Sequence, residues 1–380
     1  MSLVVRGLVS RGRIKHTMTS RDRVSKALCH QPPDCVPIFE CFWDATIESW
    51  HKEGLPEGVS PNDYFGLDIA LMELDNTFGF ERQIIEQTDE YVVERDGWGY
   101  MKRNWRDRRS TPELLDFAVA SRADWDRLKT RLVPDVSRID LAAAQEAHTK
   151  ARAASRFLCI EAMTGYDVVW RKMGVERALM AIAEDPFWVM EMYEYDVNMI
   201  VGMAELFLAN GLDFDGAWLY DDLAYRSGPL FSPRAYREQL LPYHKRLTDY
   251  FHALGKPVIL HSCGNVVPIT RELVEAGFDC LQPLEVKAGC DLASMVKEYG
   301  DSVCFMGGVD IRALWASEEE MEREVVGKLA IGISSPGGYV FHSDHSIPPQ
   351  VSMARYAQVV EMVRDQGRTA RGGASPTVGR

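Results

Sequence analysis

An imidazole and a thiol stand two residues apart at His261 and Cys263, in the stretch LHSCGNV. They follow the apolar run Pro257-Val258-Ile259-Leu260, which has the composition of a strand. On extended backbone, residues i and i+2 project to the same side, so both side chains can meet one cation. Zinc accepts this mixed nitrogen and sulfur set, and a catalytic zinc takes three protein ligands while keeping one position open. The spacing alone is also met by a satisfied core histidine beside a small buried thiol.

The elements that would position such a pair can be read from the rest of the chain. Short runs rich in Val, Ile, Leu and Phe occur at 35–39, 67–72, 157–160, 214–219, 258–260, 278–281, 302–306 and 339–341, separated by helix-like segments. Eight strand-helix units predict an α/β fold, a single TIM (β/α)8 barrel. Asp185-Pro186 opens a helix to Asn210, and Ser232-Pro233 opens another to Leu254. Residues 82–104 alternate and contain turn formers, which predicts a hairpin after the second strand; 105–150 are polar and then helical, an excursion rather than a second domain.

In such a barrel the catalytic groups lie at the C-terminal ends of the strands. The third run ends on Glu161, the fourth on Asp221-Asp222, the fifth on His261 and Cys263, the sixth on Gln282, and the eighth on His342, Asp344 and His345. His345 can supply a third metal ligand across the mouth. Asp221-Asp222 either orient a substrate, hold a cation or cap the following helix. Glu161 is either a proton-handling group or a solvated acid at the rim.

Composition narrows the partners. The 380 residues carry a formal charge of −13, which repels nucleic acid, and no apolar run approaches the roughly 20 residues that span a bilayer. Eight cysteines without compact spacing read as reduced thiols in a cytoplasmic protein. Residues 1–17 read as a leader foreign to the domain, 18–366 as the barrel, and 367–380 as a tail too polar to order itself.

Several longer stretches carry a family likeness: TSRDRVSKALCHQPPDCVPI, DYFGLDIAL, LYDDLAYRSGPLFSPRAYREQLLPYHKRL, HSCGNV, FMGGVDIRAL and GGYVFHSDHSIPPQVS. With them the chain resembles the uroporphyrinogen decarboxylase superfamily, which includes the decarboxylase and zinc-dependent corrinoid methyltransferases. In the methyltransferase branch zinc is held by a His-x-Cys after strand five and a Cys after strand eight. His261 and Cys263 match the first pair, and His345 stands where the last Cys is expected. The decarboxylase has a strand-eight histidine, matched by His345, and an aspartate matched by Asp68 in LDI. The resemblance therefore implies a metal set of His261, Cys263 and His345. It also implies Glu161 or Asp222 as a further ligand or proton-handling group, Asp68 as a catalytic residue, and a corrinoid protein as partner.

The decarboxylase grips a polycarboxylate with arginines after strand one. Here that segment is FECFWDATIESWH, and no arginine occurs between Arg23 and Arg82. Facing acids without a cation would be costly, so a porphyrinogen is disfavoured as substrate. The expected function is a zinc-dependent methyltransferase acting on a small methylated substrate or thiol. The alternatives are a cofactor-free decarboxylase and a non-catalytic small-molecule binding protein.

Overall fold

Seven of the eight strand-forming runs do become strands, and they are shared between two compact units. The computed structural model describes residues 18–106, 112–336 and 338–369, so the expected leader 1–17 and the tail beyond Thr369 lie outside the described residues. One unit comprises the chain up to Ala70, Ala154–Phe157 and the chain from Pro283; the other comprises Leu71–Ala153 and Leu158–Gln282. Gly367–Thr369 stay attached to the first unit: Val36 N–H donates to Gly367 O, and Arg368 bridges Cys35.

The second unit carries most of the parallel sheet. Phe157–Met163, Gly216–Tyr220, Val258–His261 and Cys280–Gln282 lie side by side in that order, all parallel. Their cores are continuous apolar runs, as expected of strands covered on both faces. The register sets Tyr220 and Gln282 on either side of His261. Helices Gly165–Met173, Val175–Glu184, Pro186–Ala209 and Leu241–Ala253 follow the strands, with Asn210 ending the third as the sequence predicts. Segment 82–104 forms antiparallel strands Gln83–Gln87, Tyr91–Arg95 and Met101–Trp105, joined by a fourth, Glu113–Asp116.

In the first unit Cys304–Met306 pairs in parallel with Tyr339–Val340, and Phe341 in turn bridges Ile38 in parallel. The first run, 35–39, is not a continuous strand. Pro37 has no N–H to give a ladder, and the Ile38 N–H is taken by the Asp68 carboxylate at 2.7 Å.

That last contact recurs. Asp215 accepts from the Leu158 N–H at 2.9 Å, and Asp279 accepts from the Val258 N–H at 2.7 Å. Each of these aspartates stands at or just before the start of a strand and reaches the backbone of the neighbouring run. Each also carries a basic partner: Arg23 for Asp68, Arg152 for Asp215 and His252 for Asp279. Asp68 and Asp215 are buried and Asp279 half-buried, and each is held by one basic side chain and one amide, so these acids fasten strand starts together.

No helix among the described residues is long and apolar enough to cross a membrane.

Candidate metal centre

The loops that leave strands Gly216–Tyr220 and Val258–His261 are laced together. Leu223 N–H donates to Ser262 Oγ at 3.0 Å, Cys263 N–H to Asp222 Oδ1 at 2.8 Å, and Asn265 N–H to Tyr225 O at 3.0 Å. Gly264 makes this possible. Its φ is +84°, and a Cβ there would collide with the backbone of Ala224. Ser262 is buried while His261 and Cys263 are half-buried, so the i, i+2 alternation turns the imidazole and thiol to one side.

His261 Nε2 lies 3.5 Å from Cys263 Sγ and 3.7 Å from Asp222 Oδ1. Asp222, His261 and Cys263 form a group whose nitrogen, sulfur and oxygen donors all fall within 4.8 Å of one another. The other ring nitrogen, Nδ1, is 2.5 Å from Gln282 Oε1. A carbonyl oxygen can only accept, so Nδ1 is the donor in this contact and Nε2 is the nitrogen that faces Cys263 and Asp222. A ligand histidine braced in this way by an acceptor on its far nitrogen is the usual arrangement around zinc. The donor set therefore fits zinc in chemistry and in spacing.

Acids crowd this end of the sheet. Glu161 Oε2 accepts from Tyr220 OH at 2.7 Å, and the Tyr220 ring lies 5.1 Å from the His261 ring. Burial pushes the Glu161 carboxyl above its ordinary range and nearby Glu73 adds to this, while the Tyr220 hydroxyl opposes it. Burial likewise raises Asp167, with the charge of Asp222 next in importance. Asp221, fully buried, is raised well above the usual carboxylate range by burial and then by Asp167. A cleft of about 960 Å³ lined by Glu73, Phe78, Phe80, Arg82 and Arg138 lies elsewhere in the second unit and includes none of the three donors. The case for a site rests on the donors, not on cavity size.

The structure thus brings together His261, Cys263 and Asp222, with Glu161 reached through Tyr220. His345 belongs to the first unit, where its ring lies 5.9 Å from that of Trp43. Asp68, also in the first unit, is engaged by Arg23 at 2.7 Å and the Ile38 amide. Sequence reasoning missed Asp167, Tyr220 and the bracing role of Gln282. Asp167 had a signal, as an acid in the first turn of the helix after the third strand; the other two emerge only from strand register.

Residues 107–366 match the family described as uroporphyrinogen decarboxylase (URO-D), more than half of the 380 residues. Two curated relatives are the uroporphyrinogen decarboxylases of Pelobacter propionicus, 28% identical over 144 residues, and Serratia proteamaculans, 29% identical over 148. Each match takes in 37% of this chain and 40% or 39% of the relative, so it spans about two fifths of the relatives' length. Among solved structures, a methyltransferase from Methanosarcina mazei superposes with a TM-score of 0.66 at 17% identity, covering 92% of this chain and 98% of that one. At that identity the likeness is one of fold. On the strength of the match over residues 107–366, the chain belongs to the uroporphyrinogen decarboxylase family.

Proposed function

We propose that this family member is a zinc-dependent, methyltransferase-like enzyme acting on a small methylated substrate or thiol, with a corrinoid protein as its methyl-exchanging partner in the cytoplasm. The observation that carries the reading is the donor group of His261, Cys263 and Asp222. His261 Nε2, Cys263 Sγ and an Asp222 oxygen would hold the ion, and Gln282 keeps the imidazole in the tautomer that binding needs. When bound, zinc lowers the pKa of a coordinated thiol or polarises a coordinated ether oxygen. Glu161 keeps its proton to higher pH than an ordinary carboxyl and serves as the proton-handling group beside Tyr220. Closure of the strand runs into a complete barrel is part of the same proposal.

The curated relatives favour a second reading, a cofactor-free carboxy-lyase. Against it stands FECFWDATIESWH, which offers acids where a polycarboxylate needs cations. Zinc content separates the two. Purified wild type should carry zinc through dialysis against a mild chelator, and Cys263→Ala should lose most of it. Cys280→Ala, a fully buried position inside a strand, should keep it. Equal zinc in all three proteins, or none in wild type expressed with zinc, would return HSCG to a structural role.

A further inference from the structure

One chain of buried polar side chains in the second unit has no part in the proposal above. Tyr236, His244 and Asp221 are all fully buried. Tyr236 OH lies 2.9 Å from His244 Nδ1, and His244 Nε2 lies 3.0 Å from Asp221 Oδ2. The second contact is close without being an aligned hydrogen bond. Asp221 Oδ1 accepts the Asp167 N–H at 3.0 Å, in the first turn of helix Gly165–Met173. The Asp221 N–H donates to the His261 carbonyl at 2.9 Å. Asp221 is thus fastened on one side to the backbone of a proposed ligand and on the other to the histidine.

The helix carrying this array departs from regular geometry where the array requires it. Tyr236–Leu240 is a π-helical turn leading into Leu241–Ala253. Pro242 has no N–H for the helical ladder, which a wider turn accommodates. In a straight α-helix, residues eight apart are about 80° out of line, whereas the extra residue of a π turn brings them to within roughly 20°. That realignment puts Tyr236 over His244. On the far side, Gly165 has a φ of +56°, and a Cβ there would run into Asp221 Oδ2 and His244 Nε2. The helix start is therefore packed against the pair as tightly as a glycine allows.

We propose that His244, fixed by Tyr236, is a positioning residue for the candidate metal centre. Through Asp221 it holds the His261 backbone and the Asp167 turn in the geometry that lets His261, Cys263 and Asp222 converge. The inference rests on the metal reading, since it assigns a second layer to those ligands. Conserving the ring but not its anchor, as in Tyr236→Phe, removes one hydroxyl without changing packing volume. His244→Asn removes the imidazole itself.

The test is titration of metal-free wild type, H244N and Y236F with cobalt(II), following the thiolate-to-cobalt absorption and the visible d–d bands, with thermal melts run in parallel. Wild type should bind cobalt with thiolate absorption. H244N should bind it about ten- to a hundredfold more weakly, as loss of an outer partner of a metal ligand does. Y236F should bind it about fivefold more weakly, the effect of one neutral hydrogen bond, with shifted d–d bands. A purely structural role would lower melting temperatures and leave the bands in place. If H244N does not fold, Y236F decides. Unchanged affinity and bands in folded Y236F, with wild type binding cobalt, overturn this inference alone. Absence of cobalt binding by wild type overturns the metal reading and this inference with it.

Discussion

Lys172 should be replaceable by methionine with a gain in stability at neutral pH. Its side chain is fully buried in helix Gly165–Met173, and the ammonium has no hydrogen-bond partner among the described residues. It sits 5.4, 5.8 and 5.4 Å from the ring centres of Phe78, Trp98 and Trp125. Burial lowers its pKa from 10.5 to about 8, with buried Asp196 opposing the shift. That displacement corresponds to about 3 kcal/mol spent on keeping the charge inside at pH 7. The three rings return about 2 kcal/mol in all. Methionine has nearly the same length and no charge, so burial cost outweighs ring attraction and K172M should be more stable at pH 7 by about 1 kcal/mol. The pH dependence fixes the cause. The folded chain releases the Lys172 proton near pH 8, while the unfolded chain keeps it to about 10.5. Across that window the unfolded state binds more protons, so wild-type stability rises relative to the variant. Urea unfolding of both proteins at several pH values between 7 and 10.5 measures the difference. A K172M loss above about 2 kcal/mol at pH 7 would show that the rings and Asp196 outweigh burial. A difference independent of pH would refute the buried-charge argument outright.

Three further outcomes can be checked. Gly165→Ala should cost about 2–4 kcal/mol in urea unfolding, because a positive φ and a collision with Asp221 and His244 act together; a loss under 1 kcal/mol would mean the helix start is loosely held. His345→Ala should release zinc to the same extent as Cys263→Ala if the sequence expectation of a third ligand is right, and zinc retained at the wild-type ratio removes His345 from the set. Purified protein should not convert uroporphyrinogen to coproporphyrinogen at a useful rate, and clear product would favour the carboxy-lyase reading.

How much of this was legible in sequence depended on the range of the interactions. Runs such as Phe157-Leu158-Cys159-Ile160 and Val258-Ile259-Leu260 declare themselves as strands because burial on both faces demands unbroken apolar residues. His261 and Cys263 were legible because an i, i+2 pair is a local fact of extended backbone. Asp222 was visible as an acid at a strand end, but its approach to His261 depends on Cys263 N–H turning its carboxylate. Gln282 as the brace of His261 needed the strand register, which no local pattern encodes. The run at 35–39 reads as a strand by composition, yet Pro37 and the Asp68 carboxylate take its donors out of a regular ladder. The π turn at Tyr236–Leu240 is hinted at only by Pro242, and nothing in LPYHKRL says that Tyr236 and His244 would meet.

The aspartates at Asp68, Asp215 and Asp279 divide each strand into two jobs. Their carboxylates lock neighbouring runs at the ends where the strands begin, while HSCG and the Asp221-Asp222 pair occupy ends where strands finish. A substitution in a finishing loop leaves the three locks intact, so the alignment of the strands does not have to be rediscovered each time the loop chemistry changes. The scaffold can therefore tolerate experiments at its reactive ends: an altered thiol, an exchanged acid or a new loop alters what the protein binds before it threatens how the sheet is assembled. Such a chain is well suited to acquiring a different reaction by small steps, because Asp215 and Asp279, which hold strand starts in line, are not among the residues proposed to do the chemistry.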